Sequence, residues 1–209
     1  MSQLSPKKIA VLISGGGTNL QALIDKLDEI NGYIDIVISN KRDAYGLERA
    51  KLNSIDTLYI NQKEYNSIDE FNNKIIEELT KHSIDLVVLA GYLKILSKSF
   101  INSFRNRIIN IHPSLIPSFC GDGYYGLKVH EAAINYGVKI SGATVHFVTE
   151  NTDAGPIILQ DTVQVDDNDT AESLQKKVLQ LEHKLLPEAV KLFCEDRLII
   201  ENRKVIVKK

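Results

Sequence analysis

Short apolar runs alternate with segments of helical periodicity along the first half of the chain. Residues 9–13 form a continuous apolar run rich in β-branched side chains and end in a glycine turn, which is typical of a strand buried on both faces of a parallel sheet. Residues 18–29 then place leucine and isoleucine at helical spacing, which predicts an amphipathic helix. The same two patterns predict further strands at 33–39, 57–60, 85–90 and 107–111 and further helices at 44–53 and 67–82.

The second half of the chain has a different pattern. Two extended runs at 140–149 and 156–165 carry Val, Thr and Ile and are separated only by a turn at 150–155, which predicts an antiparallel pair. A helix at 127–136 is predicted before this pair, and a long helix at 170–193 is predicted after it.

The order of these elements predicts the fold class. Parallel strands need crossover connections, and helices supply them in the first half of the chain. We therefore expect an α/β fold, a Rossmann-like doubly wound sheet that is mostly parallel and carries an antiparallel late strand. A small hairpin over 197–207 is expected to complete it.

Composition limits the classes of function. The chain has 209 residues, 44% hydrophobic content and a net charge of −2, which suits a single domain over 1–209 and provides no broad basic surface for nucleic acid. The two cysteines lack CxxC spacing, and no histidine or cysteine pair has metal-ligand spacing. No apolar run reaches the roughly 18 residues of a membrane span. We therefore expect a cytoplasmic protein that binds no metal, nucleic acid or membrane.

A glycine-rich segment, Ser-Gly-Gly-Gly-Thr-Asn at 14–19, follows the first predicted strand and opens the first predicted helix. Glycines allow a tight turn and a close approach of the backbone to a ligand, and backbone N–H groups at a helix N-terminus face anions. The segment is neither a P-loop nor a dinucleotide fingerprint, so a monophosphate fits better than a dinucleotide. A plain glycine turn capped by Thr18 is the alternative.

A second candidate pair, Asn110 and His112, lies at the end of the strand predicted over 107–111. The two residues are two positions apart, so their side chains point to the same face. Pro113 disfavours the helical conformation for His112 and ends the strand. An amide donor beside a titratable imidazole suits the stabilisation of a tetrahedral oxyanion together with proton transfer. A purely structural strand-end histidine is the alternative.

Three further polar residues receive less specific interpretations. Asp153 lies in the turn between the two late strands, where an aspartate usually bonds its own backbone, although a carboxylate near an imidazole raises the imidazole pKa. His146 is interpreted as a hydrogen-bonded core histidine of an apolar run. His130, on the predicted helix after Gly126, could line a cleft.

Six segments match one family in order along nearly the whole chain: SGGGTNLQALID, SNK, LAGYLKIL, NIHPSLIP, GATVHFVTENTDAGPIILQ and QLEHKLLPEAV. On these motifs the chain resembles the phosphoribosylglycinamide formyltransferases. The resemblance implies transfer of the formyl group of the co-substrate 10-formyltetrahydrofolate to the amine of glycinamide ribonucleotide in de novo purine (IMP) biosynthesis. It also implies the mixed-sheet formyltransferase fold.

The resemblance implies a catalytic set of Asn110, His112 and Asp153. In that set His112 donates a proton and stabilises the oxyanion, Asn110 polarises the formyl oxygen, and Asp153 raises the His112 pKa and relays a proton through water. The substrate amine attacks the formyl carbon directly, without an acyl-enzyme.

The resemblance also implies two sets of binding residues. Residues 1–100 form the ribonucleotide half and 101–209 the catalytic and folate-binding half. The ribonucleotide set holds the phosphate and, through its last member, the ribose hydroxyls, and consists of Gly16, Gly17, Thr18, Asn19 and Glu182. The folate set consists of Leu93, Lys94, Ile95, Leu96, Asn110, Thr149, Glu150, Asn151, Thr152 and Asp153.

Some positions depart from the family pattern. Residues 117–126 are longer than the matching segment of bacterial members and are a candidate lid, so their role in substrate binding stays open. Ile68 and Asp69 stand where some members carry an arginine for the folate glutamate tail, and Lys128 stands where some carry a histidine.

Other functions remain as alternatives. A formyltetrahydrofolate deformylase transfers the formyl group to water, but it usually carries a second histidine after the catalytic one, and here Pro113 follows His112. A methionyl-tRNA formyltransferase needs a basic surface. A non-catalytic nucleotide- or folate-binding module could use the same fold. Besides its small-molecule substrates we expect no partner except a second copy, as a monomer or weak homodimer.

Overall fold

The computed structural model describes residues 5–208. The chain forms two compact units, of which the first ends at Ile109 and the second begins at Asn110. The predicted halves, 1–100 and 101–209, divide the chain close to this point. The prediction of a single domain over 1–209 stays a prediction.

The first unit contains a parallel sheet flanked by helices. Its strands are β1 (Lys7–Ile13), β2 (Gly32–Ser39), β3 (Asp56–Tyr59) and β4 (Leu86–Leu89). Its helices are α1 (Thr18–Ile24), α2 (Tyr45–Leu52), α3 (Ile68–Lys81) and α4 (Lys98–Ser103). The strand order is β3-β2-β1-β4, and β1 pairs in parallel with both β2 and β4.

Burial in the first unit follows the predicted pattern. Residues 9–13 of β1 are at most 1% exposed, and all of β4 is buried. Helix α3 buries Phe71, Ile75 and Leu79 along one face. Ser67 caps its N-terminus, because the Ser67 hydroxyl accepts the Glu70 N–H. Because β1 lies between two parallel neighbours, its carboxyl end is held at the centre of this sheet.

Two helices of the first unit differ from the prediction. The helix predicted over 18–29 ends at Ile24, because Lys26 N–H donates to the Leu23 carbonyl and the chain tightens into a 3₁₀ turn at Leu27–Glu29. Helix α4 was not predicted, since its six residues are too few for a visible helical period.

Strand β5 (Ile108–His112) contains the boundary between the units. It extends one residue beyond the predicted end and therefore includes His112. Pro113 follows and has no N–H to continue a ladder, which fixes the end of the strand.

The second unit carries the antiparallel part of the sheet. Its strands after β5 are β6 (Ile140–Phe147), β7 (Ile157–Gln164), β8 (Leu198–Glu201) and β9 (Lys204–Val207). Its helices are α5 (Leu127–Tyr136) and α6 (Ala171–Cys194). The strand order is β5-β6-β7-β9-β8, with β6 antiparallel to β7 and β8 antiparallel to β9.

These elements confirm the predicted fold class, a mixed and mostly parallel sheet with antiparallel late strands and flanking helices. The predicted pair β6–β7 and the terminal hairpin are both present. Helix α6 begins with a capping box between Thr170 and Ser173 and buries Leu174 and Val178. Within residues 5–208 no helix has the length and apolar character required to cross a bilayer.

Replacement of Gly142 by alanine should destabilise the second unit. A Cβ at Gly142, in β6, would collide with the Asp161 carbonyl oxygen of β7 and the Leu115 side chain. We expect Gly142→Ala to lower the free energy of unfolding by about 1–3 kcal/mol, measured by equilibrium denaturation. Gly15→Ala is the control, because a Cβ there meets no atom within 4 Å. Equal stability of the two variants would contradict this packing argument.

Candidate functional site

The glycine segment at the carboxyl end of β1 is anchored by Ser14. The buried Ser14 hydroxyl donates to Asn40 Oδ1 at 2.6 Å and accepts the Leu93 N–H at 2.9 Å. The Ser14 N–H donates to the Gly91 carbonyl at 3.1 Å. The start of the loop is thereby fixed to the end of β2 and to the segment after β4.

The loop also contacts the start of α2 backbone to backbone. Gly17 has φ +69°, and a Cβ there would lie 2.6 Å from the Gly46 Cα. The Gly46 N–H donates to the Gly15 carbonyl at 3.1 Å. Both the left-handed backbone and the close approach require glycine at position 17.

The loop exposes the peptide groups of Gly15 and Gly16, and the helix that follows it is short. Gly15 and Gly16 have open space where a Cβ would stand, and Thr18 is exposed, whereas Asn19 is buried. Helix α1 has only seven residues, so its dipole adds little. Space for a small anion is therefore available beside Gly15 and Gly16.

In the second unit, Asn110, His112 and Asp153 lie together. Asn110 Nδ2 is 3.5 Å from Asp153 Oδ1, and His112 Nδ1 is 3.4 Å from Asp153 Oδ2. Asn110 and His112 thus point to the same side of β5, as their spacing predicts. The side chains of His112 and Asp153 are 5% and 10% exposed, so the cluster is largely shielded from water.

His146 is part of this cluster, which its position in an apolar run did not reveal. Its Nδ1–H donates to the Phe147 carbonyl at 2.9 Å, so its Nε2 can accept from Asn110 Nδ2 at 3.2 Å. His146 Nε2 also lies 3.6 Å from Asp153 Oδ1. The histidine is buried, as predicted, but it holds the Asn110 amide rather than only filling the core.

The segment after β5 supplies two backbone contacts to the cluster. His112 Nε2 lies 2.9 Å from the Phe119 carbonyl oxygen, and because a carbonyl only accepts, Nε2 carries the hydrogen. The Gly121 N–H donates to Asp153 Oδ2 at 2.9 Å. Residues 117–126, the candidate lid, therefore contact both titratable groups.

Burial and neighbouring polar groups have opposite effects on the pKa values of His112 and Asp153. Burial lowers the pKa of His112, and this outweighs the Asp153 charge and the Phe119 carbonyl, which both raise that pKa. Asp153 acts on His112 in the expected direction, but it does not make the imidazole a cation here. Burial raises the pKa of Asp153, yet contacts with His146, His112 and Gly121 bring it below its ordinary value. The resting pair is a neutral imidazole beside a carboxylate.

His130 faces the same region from α5. It is buried, its Nδ1 has no hydrogen-bond partner, and burial followed by the charge of His112 lowers its pKa to about 4. His130 is therefore a neutral imidazole near His112. The interpretation that it could line a cleft stays a prediction.

The folate residues implied by the resemblance fall into two groups. Leu93 and Ile95 are 55% and 68% exposed, whereas Leu96 is buried. Lys94 lines a cleft of about 430 Å³ together with Asn40, Lys41, Asn61, Gln62 and Lys63. Three ammonium groups and no carboxylate line this cleft, so it suits an anionic group.

The second folate group is the turn 149–153. Glu150, Asn151 and Thr152 are exposed, and Asp153 adopts φ 50°. The Thr152 hydroxyl donates to Asp122 Oδ1 at 3.2 Å, which joins this turn to residues 117–126.

Two remaining predictions concern Glu182 and metal. Glu182 is buried in α6, although a helical glutamate is by default solvent-exposed. Among residues 5–208 no group of three or more His, Cys, Asp or Glu could hold a metal ion.

The fold and these residues define the class of protein. The formyl transferase family matches residues 7–190, and the chain belongs to that family.

Individual relatives narrow the assignment. The Escherichia coli phosphoribosylglycinamide formyltransferase is 41% identical over 91% of this chain and 88% of its own length. A crystal structure of glycinamide ribonucleotide transformylase 1 from Symbiobacterium toebii is 45% identical, covers 99% of this chain and 96% of that chain, and has a TM-score of 0.94. Within its family the chain is one of the phosphoribosylglycinamide formyltransferases, and so an enzyme.

A human relative contains a region similar to nearly the whole of this chain within a longer protein. The trifunctional purine biosynthetic protein adenosine-3 of Homo sapiens is 46% identical over 95% of this chain. The chain spans only 19% of the length of that relative.

The His112 titration should follow the electrostatics of the cluster. Because the Asp153 charge raises the His112 pKa, Asp153→Asn should move that pKa further below its ordinary value. The measurement is an NMR titration of the His112 ring. Asp161→Asn, at an exposed residue of β7, is the matched control and should leave the titration unchanged. A His112 pKa that is unchanged or higher in Asp153→Asn would rule out this coupling.

Proposed function

We propose that this protein transfers the formyl group of 10-formyltetrahydrofolate to the amine of glycinamide ribonucleotide in de novo purine biosynthesis. The observation that carries the proposal is the buried cluster of Asn110, His112 and Asp153, which combines an amide donor, an imidazole and a carboxylate. The family of the chain supports the reaction class.

The catalytic step follows from the chemistry of these groups. The substrate amine attacks the formyl carbon, a C–N bond forms and the formyl oxygen becomes an oxyanion. N–H donors of Asn110 and His112 stabilise that charge in a shielded, low-dielectric site. The Asp153 carboxylate favours the protonated form of His112, so the imidazole can take up the proton released by the amine.

Collapse of the tetrahedral intermediate completes the transfer. The bond from the formyl carbon to N10 of the folate breaks, and N10 receives a proton from His112, directly or through water held by Asp153. No atom of the protein forms a covalent bond with the formyl group. His112 therefore ends in the neutral state from which it began.

The contact between His112 Nε2 and the Phe119 carbonyl has a consequence for this step. The His112 Nε2–H is bonded to the Phe119 carbonyl, so His112 can donate to the formyl oxygen only after that bond is exchanged. That exchange requires a movement of the His112 ring or of residues 117–126 on substrate binding.

The binding roles extend the proposal to both substrates. Backbone N–H groups of Gly16 and Gly17, with Thr18 and Asn19, bind the ribonucleotide phosphate, and Glu182 binds the ribose hydroxyls. Residues 93–96 and 149–153 bind the folate, whose carboxylates suit the lysine-lined cleft at Lys94. The cytoplasmic location and the state of monomer or weak homodimer stay predictions.

Replacement of His112 should separate binding from chemistry. We expect His112→Ala to lower kcat about 10²–10⁴-fold, because a positioned acid–base group contributes that much. Equilibrium binding of glycinamide ribonucleotide should be retained. The control His82→Ala removes a histidine that contacts Asp35 outside the cluster. A kcat equal to that of the wild type in His112→Ala would contradict a catalytic role of His112.

Replacement of Gly17 should affect one substrate selectively. The Cβ of Gly17→Ala meets the Gly46 backbone and displaces the loop amides, so the KM for the ribonucleotide should rise about tenfold. The KM for the formyl folate should change little. Steady-state kinetics with each substrate varied in turn provide the measurement. Equal increases in both KM values would contradict a phosphate site at this loop.

A further inference from the structure

The carbonyl groups of the glycine loop point towards α2. The Gly15 carbonyl accepts the Gly46 N–H at 3.1 Å, and the Gly16 carbonyl accepts Arg49 Nε–H at 2.9 Å. The first contact is between backbones. The second depends on one side chain, that of Arg49.

Peptide geometry converts these contacts into an orientation for the loop N–H groups. In a planar trans peptide the C=O of one residue and the N–H of the next point in opposite directions. With the carbonyls of Gly15 and Gly16 bonded to α2, the N–H groups of Gly16 and Gly17 face away from α2. A Cβ at Gly15 or Gly16 would meet nothing within 4 Å, so space for an anion is available at the loop.

The peptide between Gly16 and Gly17 needs an external support. Glycine occupies most of the conformational map freely, so two adjacent glycines give this peptide little intrinsic preference for one orientation. Neither residue has a side chain with which to hold it. The Arg49 contact opposes rotation of this peptide.

Arg49 is itself held in place. Its Nη1 donates to Gln21 Oε1 at 3.1 Å, while Gln21 Nε2 donates to Asp25 Oδ1 at 2.8 Å. The guanidinium lies over the Tyr45 ring, 5.0 Å from its centroid. One planar group thus joins the loop, α1 and α2, a geometry that a lysine ammonium does not reproduce.

We propose that Arg49 is a positioning residue for phosphate binding, which acts by fixing the peptide between Gly16 and Gly17 so that its N–H faces the phosphate. This inference rests on the proposed function, because the phosphate is that of the ribonucleotide. Arg49 itself need not touch the ligand.

The test compares three variants of the full chain. Arg49→Gln removes the guanidinium fork, Arg49→Lys keeps the charge, and Lys51→Gln removes one positive charge from the same helix at a residue paired with Glu48. For each variant, KM is measured for both substrates, kcat at saturation, and the thermal midpoint. Binding of ribose 5-phosphate without folate is measured by calorimetry.

We expect a selective effect. Arg49→Gln should raise the ribonucleotide KM and weaken ribose 5-phosphate binding about tenfold, since a charge-assisted hydrogen bond is lost. The folate KM and kcat should stay near the wild-type values. Arg49→Lys should restore little of the affinity, and Lys51→Gln should match the wild type.

Three outcomes would overturn the proposal. Full rescue by Arg49→Lys together with a raised KM in Lys51→Gln would show simple charge attraction. A lowered thermal midpoint with equal changes in both KM values would show a purely structural role. Unchanged kinetics in Arg49→Gln would show no role. If the wild-type protein showed no transferase activity but its binding of ribose 5-phosphate still depended on Arg49, the proposed function would be refuted and this inference would stand.

Discussion

The carboxylate of Asp153 is the group on which the second unit's site depends. It is 10% exposed, lies beside the rings of His112 and His146, and accepts hydrogen bonds from Asn110 Nδ2 and the Gly121 N–H. A buried charge is tolerated only when such contacts compensate it. Gly155 allows the turn to reach this position, because a Cβ there would overlap the Phe147 carbonyl oxygen. The constraint of satisfying one carboxylate thus fixes the turn, the strand β5 and residues 117–126 together.

The first unit depends on a different constraint, the close contact of two glycine backbones. A Cβ at Gly17 would lie 2.6 Å from the Gly46 Cα, and a Cβ at Gly46 would collide with the Ile13 side chain. Glycine at both positions therefore allows α2 to pack against the loop. The contact places Arg49 beside the Gly16 carbonyl. In the first unit, contacts with α2 hold the polar groups of the loop, whereas in the second unit backbone groups of residues 117–126 hold the side chains of His112 and Asp153. Such preorganisation reduces the rearrangement needed when charge develops.

The sequence predicted the parts that depend on local pattern. Strand β1 was predicted because burial on both faces leaves a continuous apolar run in the sequence. Helix α3 was predicted because burial of one face leaves apolar residues at helical spacing. The role of His146 was not visible, because an inward histidine on a strand looks the same whether its ring meets a backbone carbonyl or a functional amide. That difference depends on how β5 and β6 are brought together. The lowered His112 pKa was likewise unpredictable, since burial is a property of the folded environment.

The central claim, that a formyl group passes from a folate to a ribonucleotide amine, is tested most directly with the wild-type protein. Absorbance of 10-formyl-5,8-dideazafolate is followed with and without glycinamide ribonucleotide. The account predicts loss of the formyl group only when the ribonucleotide is present. Loss at the same rate without the ribonucleotide would indicate a hydrolase, and no loss with both substrates would indicate a binding module, and either result would contradict the account.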